Sequence, residues 1–499
     1  MNEPMITDRR SNPGKPSVLY EMKVWKPANS LVRFGSILLL SLNLLTAPAQ
    51  AGNRAMLELL KVLRDGGAIS QEAYEALYKT ALEEDNEDLV EGETSRTTKS
   101  PKKPQAPPTT KDIALTDRSA ESSVVRLGHK GLEVESADGD FRFKLGGRLL
   151  LDAAWYDQHH AKLDNDAEVR SSRLSWRAIL WDDWQFKSEV EFARDGADLK
   201  SNFLRYRGFK PVLITAGNFK EPFGLERWTS ISETTFMERA AVSGALAPAR
   251  SLGLGVRTSE RRWTLATGLF GNRDLGGSGG GNQSDEESWA FTGRVTYVPL
   301  LTPSSMLHTG IAASYRAFDD GQIRFKARPE SHVTEVNFVD TGAITDLDDV
   351  TRYGLEAAAV FGPFSFQTEY ISTKIHRSGA SQNLDFDGWY AYASYFLTGE
   401  TRPYRRQRGV FRGVTPKRPL RGGGPGAWEV ALRYSHLDLS DEEITGGQQD
   451  LLTFGLNWYL NANVRFMTNY VKVLDVDRPG SAFDGDQTQL IQIRSQVDF

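Results

Sequence analysis

Cysteine is absent from all 499 residues, which excludes disulfides, thiolate metal sites, iron–sulfur clusters and cysteine nucleophiles. Histidine is scarce, and of its seven copies only His159 and His160 are neighbours. Adjacent side chains in an extended segment point to opposite faces, so no metal site and no cofactor are expected. Long apolar runs are missing after Gly52, where nothing approaches the ~18 consecutive apolar residues of a membrane-crossing helix. Neither charge sign dominates, since 60 Lys and Arg stand against 65 Asp and Glu for a net charge of −5, and no nucleic-acid partner is expected. What is plentiful is glycine, with 45 copies, and aromatic residues, at 10% of the chain. A polar, turn-rich, aromatic-rich chain of this kind suits a membrane β-barrel, in which only every second strand residue must be apolar.

The one compact apolar run, residues 34–45 (FGSILLLSLNLL), follows Lys23, Lys26 and Arg33 and precedes Ala49-Gln50-Ala51. Basic segment, short apolar run and small-residue site in that order form a secretory signal, with Ala49 and Ala51 as the cleavage motif. Counted from Met22 the signal spans 30 residues, an ordinary length, so Met22 is the expected start. Residues 1–51 are therefore assigned to the signal.

Residues 55–64 (AMLELLKVLR) predict a short amphipathic helix ending at Asp65-Gly66-Gly67, and a second begins at Ser70, a residue type suited to an N-cap. Residues 83–111 then run from acidic residues into Thr, Lys and Pro, the composition of a disordered linker. Residues 52–118 are expected to form a periplasmic helical appendage with its tether, and residues 119–499 an outer-membrane barrel.

From about Phe141 strict two-residue alternation takes over. In FRFKLGGRLLLDAAWY the apolar face carries Phe141, Phe143, Leu145, Leu149, Leu151 and Trp155, and the other face Arg142, Lys144, Arg148 and Asp152. The same division recurs in RLSWRAIL, WQFKSEVEF, FSFQTEY, WEVALRY and LTFGLNWYL. A soluble β-sandwich also alternates. Two details favour the membrane: Trp155, Trp181, Trp184, Tyr297, Trp389, Trp458 and Tyr459 lie near segment ends as interfacial girdles require, and the alternating IQIRSQVDF ends on Phe499. A terminal aromatic of this kind resembles the signal read by the barrel-assembly machinery, which makes that machinery an expected partner. The pattern predicts an all-β, transmembrane antiparallel barrel of sixteen strands, among them 201–210, 211–219, 427–437 and 451–460. An even number places both ends of the barrel in the periplasm. The hairpin-like GLEVESADGDF just before the first strand would break that parity if counted.

The segments GNFKEPFGLERWTS, TFMERAAVSGALAPARSLGLGV, ASYFLTGETRPY, PKRP, GAWEVALRYSHLDL and GLNWYLNANVRFMTNYV resemble the phosphate-selective porin O and P family. The similarity covers roughly residues 130–499. It implies a sixteen-stranded barrel, usually a homotrimer in outer-membrane lipid, whose Arg- and Lys-lined lumen passes phosphate or related small anions by passive diffusion.

Three groups of cations are candidates for an anion path. The connection 220–249 holds Lys220, Arg227 and Arg239, with Arg250 at its end, and by analogy with sixteen-stranded porins it folds inward to narrow the pore. Arg142, Lys144, Arg148, Arg173, Arg177, Arg205 and Arg207 fall on the polar strand face. Residues 401–426 hold Arg405, Arg406 and Arg408 and no acidic residue; strand parity puts this long basic segment at the periplasmic face, where turns are ordinarily short, and of three readings, binding to anionic headgroups, a solvated loop or folding up into the lumen, the last is the narrowly favoured expectation. The competing readings are a low-selectivity porin of the same fold and a secreted β-rich polysaccharide hydrolase. The carboxylate pair Glu189 and Glu191 is what the hydrolase would need, but no catalytic residues are expected, because no base, nucleophile and oxyanion donor converge.

Overall fold

The computed structural model describes residues 123–128, 131–194, 196–271, 288–319, 321–379 and 381–499, together with Gln71. The expected signal with Ala49 and Ala51, the linker and, apart from Gln71, the two helices lie outside the described residues.

The alternation of residues 141–157 becomes β1 (Phe141–Asp157), with Phe141, Phe143, Leu149 and Leu151 exposed and Leu150, Asp152, Ala154 and Tyr156 buried. Fifteen strands follow. They are β2 (Asp166–Leu180), β3 (Trp184–Arg194), β4 (Asn202–Tyr206), β5 (Leu213–Lys220), β6 (Arg250–Ser259), β7 (Trp263–Gly271), β8 (Ser288–Leu301) and β9 (Ser305–Phe318). The remainder are β10 (Leu347–Phe361), β11 (Phe364–Arg377), β12 (Leu384–Phe396), β13 (Ala427–Asp441), β14 (Ile444–Tyr459), β15 (Val464–Asp477) and β16 (Gln489–Asp498). Each pairs antiparallel with the next, and β16 returns to β1 in a register running from Asp498↔Arg148 to Gln489↔Asp157. The sheet is a closed sixteen-stranded barrel. Closure removes every exposed strand edge along the wall.

The outer face is apolar and banded by aromatics. At one end Trp184 packs on Tyr206 with ring centroids 4.9 Å apart and Trp428 stacks on Trp458 at 5.1 Å; at the other Trp389 meets Tyr434 at 5.1 Å and Trp289 meets Tyr315 at 5.7 Å. Tyr459, expected in a girdle, instead turns inward, buried at 6% exposure, and donates to Glu429. Its neighbour Trp458 already occupies the outward position, and alternation sends the next residue to the lumen.

The strand ends differ from expectation in places. Strand β4 stops at Tyr206, not 210, because the chain turns through 207–212 before β5. Strands β13 and β14 run on to Asp441 and back from Ile444, leaving only residues 442–443 between them where residues 438–450 were expected to be loop. The acidic and glycine content of that stretch hides its alternation, although Leu437 and Leu439 still face inward at 0% exposure. The hairpin before the barrel is real: Val124–Gly128 pairs with Gly131–Glu135, which pairs with residues 142–145 of β1. It hangs from the first strand and takes no part in closure, so the even count stands.

Candidate functional site

The connection 221–249 leaves the wall and runs through the barrel interior, carrying α1 (Leu225–Trp228), a 3-10 turn (Ile231–Glu233) and α2 (Ala241–Ala245). A loop inside a barrel must have its backbone polar groups met by the wall. At its root Glu221 accepts from Ser251 at 2.8 Å and Thr292 at 2.6 Å and pairs with Arg316 at 2.6 Å. Glu369 of β11 accepts the amides of Leu225 and Glu226, both at 2.7 Å. Further along, Arg465 donates to the Thr234 carbonyl at 2.8 Å, Asn457 to Thr235 at 2.8 Å, Arg433 to Glu238 at 3.0 Å and Gln496 to Ser232 at 3.0 Å. Hydrogen bonds to charged groups contribute about 1.5–3 kcal/mol each, so this set offsets part of the conformational entropy lost in ordering the loop.

Buried ion pairs complete the anchoring. Arg494 of β16 bridges Asp152 of β1 at 2.6 Å and Glu238 of the loop at 2.8 Å, and Arg170 of β2 reaches Glu238 at 2.8 Å. Burial pushes the Glu238 carboxyl up, but Arg170 and Arg494 outweigh it and hold it well below the usual carboxylate range. From the connection 319–346, Glu330 pairs with Arg433 and accepts from Ser435 at 2.6 Å, Thr453 at 2.9 Å and the Ala241 amide at 3.1 Å. One carboxylate thus fastens two inward loops to the β13–β14 wall.

The basic segment between β12 and β13 also lies inside. Arg402 donates to Tyr392 at 2.5 Å and covers the Phe411 ring at 3.6 Å, while the Tyr404 hydroxyl meets His308 at 2.7 Å. Arg294 of β8, paired with Glu356 at 2.6 Å, donates to the carbonyls of Arg408 at 3.2 Å and Gly409 at 2.8 Å. Val410 and Phe411 are buried with Leu225 and Trp228 of the long loop. Gly409 has φ +59, and a Cβ there would sit 2.8 Å from Thr296 Oγ1, so the reversal that returns the segment to the wall needs glycine.

Between these two segments and the inner face of β1–β6 lies a chamber of about 450 Å³. Fourteen of its lining residues are Arg or Lys and two, Glu189 and Glu191, are acidic. Glu191 is held by Arg173 at 3.0 Å and by Ser171 at 2.6 Å, and Glu189 by Lys187 at 2.7 Å. The side chains of Arg177 and Arg257 make no hydrogen bond or ion pair among the described residues, and that of Arg205 donates only to Thr215 at 2.9 Å and Gln185 at 3.5 Å. In a narrow passage with low-dielectric walls such an excess of one sign focuses the field and concentrates counter-ions.

The model of the family described as phosphate-selective porin O and P matches residues 143–499. The chain belongs to that family. It is 32% identical over 375 residues to an uncharacterized protein of Caulobacter vibrioides, covering 72% of this chain and 75% of that one. It is 27% identical over 380 residues to Porin O of Pseudomonas aeruginosa, covering 68% of this chain and 85% of that one. Among solved structures it is similar to an anion-selective porin from Comamonas acidovorans, with TM-score 0.47 and 15% identity over 72% of this chain and 100% of the other. It is likewise similar to the outer membrane channel DcaP of Acinetobacter baumannii, with TM-score 0.44 and 12% identity over 72% and 97% of the two chains. Family and closed barrel together make this an outer-membrane porin.

In this porin the chamber gathers Arg148, Arg173, Arg177, Arg205, Lys220, Arg227, Arg239, Arg250, Arg405 and Arg408 from the sequence-derived candidates. It leaves out four. Arg142 is paired with Asp182 at 2.5 Å and faces Glu135 at 3.8 Å at the short-turn end. Lys144 lies one inward position further along, opposite Arg177 in register. Arg207 follows β4 into its turn, and Arg406 opens the 3-10 turn Arg406–Arg408 without reaching the chamber. The chamber also contains Arg170, Lys187, Lys200 and Arg257, which the sequence argument left unassigned. Lys187 and Arg257 were legible: each alternates with outward apolar neighbours, Phe186 for one and Val256 for the other. Arg170 was hidden, because the register of β2 shifts beside it.

Proposed function

We propose that the protein is a homotrimeric outer-membrane porin that passes small oxyanions, phosphate and its relatives, by passive diffusion, selected in the chamber between the long loop and the basic segment. The observation that carries this reading is the lining of fourteen cations against two carboxylates. The family's description as phosphate-selective supports it. An anion entering the chamber exchanges hydration for guanidinium and ammonium donors that are already in place, and the crowding of like charges lets the next site compete for it, so the ion is not trapped. Both chamber carboxylates are tied to cations, which supports conduction over the hydrolase reading.

Orientation follows from the ordinary arrangement of bacterial barrels, with short turns in the periplasm and long loops outside. The basic segment then forms the periplasmic end of the path, and residues 52–118 stand in the periplasm after cleavage behind Ala51. N-terminal sequencing of the mature protein should begin at Gly52.

The deciding experiment is a planar-bilayer recording of reversal potential in a salt gradient, followed by titration of phosphate into chloride. An anion-directed potential and block of chloride current by phosphate are expected. A near-zero potential without block would instead make this a porin of low selectivity.

A further inference from the structure

The inner wall of a water-filled barrel is ordinarily polar, yet one side of this chamber is aromatic. Phe203 of β4 and Phe219 of β5 both line it, with centroids 6.3 Å apart edge to face, and Phe219 continues edge to face into Phe270 of β7 at 5.2 Å. The rings lie on glycines. A Cβ at Gly255 would sit 2.9 Å from the Phe219 ring, and one at Gly253 or Gly268 would sit 2.5 or 2.8 Å from that of Phe270. Any larger residue at those three positions would push the rings off the wall.

The three rings differ in what they touch. Phe270 is 2% exposed and only packs, whereas Phe219 is half-buried and faces the chamber. Trp228 and Ile231 add apolar surface to the lining from the loop. Arg205 holds its guanidinium 4.5 Å over the Phe203 ring, so a planar cation sits directly beside an apolar shelf. For an inorganic oxyanion that shelf offers nothing, because a ring face cannot replace a lost water of hydration. For an anion with a hydrocarbon or aromatic group it offers a surface from which water is readily displaced.

Resting on the oxyanion reading, we propose that this chamber also admits organic oxyanions, with aryl phosphates as the best-fitting class. The charged head sits among Arg177, Arg205 and Arg257, and the ring lies against Phe219.

The test uses the purified, full-length porin in planar bilayers, in chloride at about pH 8, where both probes are dianions. Inorganic phosphate and phenyl phosphate are titrated separately. Phenyl phosphate should reach half-block at a concentration about fivefold lower, the size of one ring contact. Phe219→Ala should abolish that difference and leave phosphate's half-block in place. Phe219→Gln keeps most of the volume and should do the same, which covers failure of the alanine variant to insert. Equal half-block by the two probes in the unmodified porin, or a fivefold difference that survives in either variant, overturns the proposal. Failure of phosphate itself to block would strike the oxyanion reading instead.

Discussion

Phe499 and Gly147 exchange two backbone hydrogen bonds of 2.9 Å, each residue donating its amide to the other's carbonyl. The aromatic residue that the sequence singles out for assembly is thereby fixed against the first strand. Two glycines make room for it: a Cβ at Gly146 would lie 2.6 Å from the Phe499 carbonyl oxygen, and one at Gly147 would lie 2.7 Å from its ring. A ring can swing aside more cheaply than a carbonyl can shift. Gly146→Ala should therefore lower the fraction of barrel that runs as the compact folded form on unboiled gels more than Gly147→Ala does. Phe499→Ala should rescue the second variant in part, since a Cβ at Gly147 also meets the Arg173 carbonyl oxygen at 3.0 Å, and should not rescue the first. Equal yields for both glycine variants would remove Phe499 from the seam's steric argument.

Arg494→Met should be among the most damaging single changes in the lumen. It leaves Asp152 and Glu238 buried without their shared cation, and breaking a buried pair from one side costs about 3–5 kcal/mol. The temperature at which the compact form is lost should fall clearly. An unchanged transition would mean that Arg170 and the loop's other wall contacts hold it without Arg494.

The Glu238 carboxyl carries a pH prediction. Its folded pKa is depressed, so its contribution is fully present above the unfolded value of about 4.3 and is lost only as pH falls below that. Current noise from the long loop should accordingly be the same at about pH 7 and about pH 5, and should rise only below about 4. Glu238→Gln should be noisy at every pH. Noise that begins near pH 6 in the unmodified porin would assign the loop's anchoring to another group.

Arg257→Gln and Lys220→Glu should part company. The side chain of Arg257 has no hydrogen-bond or ion-pair partner among the described residues, so its loss should weaken phosphate block several-fold at unchanged stability. Lys220 donates to the carbonyls of Arg227 at 2.6 Å and Thr229 at 3.1 Å. Reversing its charge should disturb the loop as well as the ion preference, seen as lower heat resistance together with altered reversal potential. Selectivity loss in the lysine variant at full heat resistance would contradict this.

Within the basic segment, Arg405→Gln with Arg408→Gln should reduce anion preference, whereas Arg406→Gln should leave it unchanged. Only the first two line the chamber. A shift in reversal potential from the Arg406 variant alone would show that the path runs elsewhere.

The strand set was legible because membrane and lumen impose opposite polarities on successive residues, as at Phe141, Arg142, Phe143 and Lys144. That signal reverses at the far ends of β13 and β14, where Leu437 and Leu439 are buried inward and Asp438 and Ser440 are partly exposed, which is why these strands run further than the expected pattern suggests. The cations at Arg173, Arg177 and Arg205 were legible from the same periodicity. The partners of the inward segments were not: the contacts of Arg494 with Glu238 and of Arg294 with Gly409 join residues more than a hundred positions apart in sequence. No local pattern encodes them. Whether a polar-face arginine faces open space or a carboxylate depends on register across several strands, and a register shift such as that beside Arg170 is silent in sequence.

The hairpin ahead of the barrel has a consequence for how the last strand finds its place. The edge of β1 is divided, with residues 142–145 taken by Gly131–Glu135 and residues 148–157 by β16. A closing strand that slipped by one residue would present its apolar side to the lumen. The hairpin's pairings join residues no more than 13 positions apart in sequence, whereas the seam joins positions more than three hundred apart. In the closed barrel the lower part of that edge belongs to the hairpin, so the track open to β16 ends where Phe499 meets Gly147.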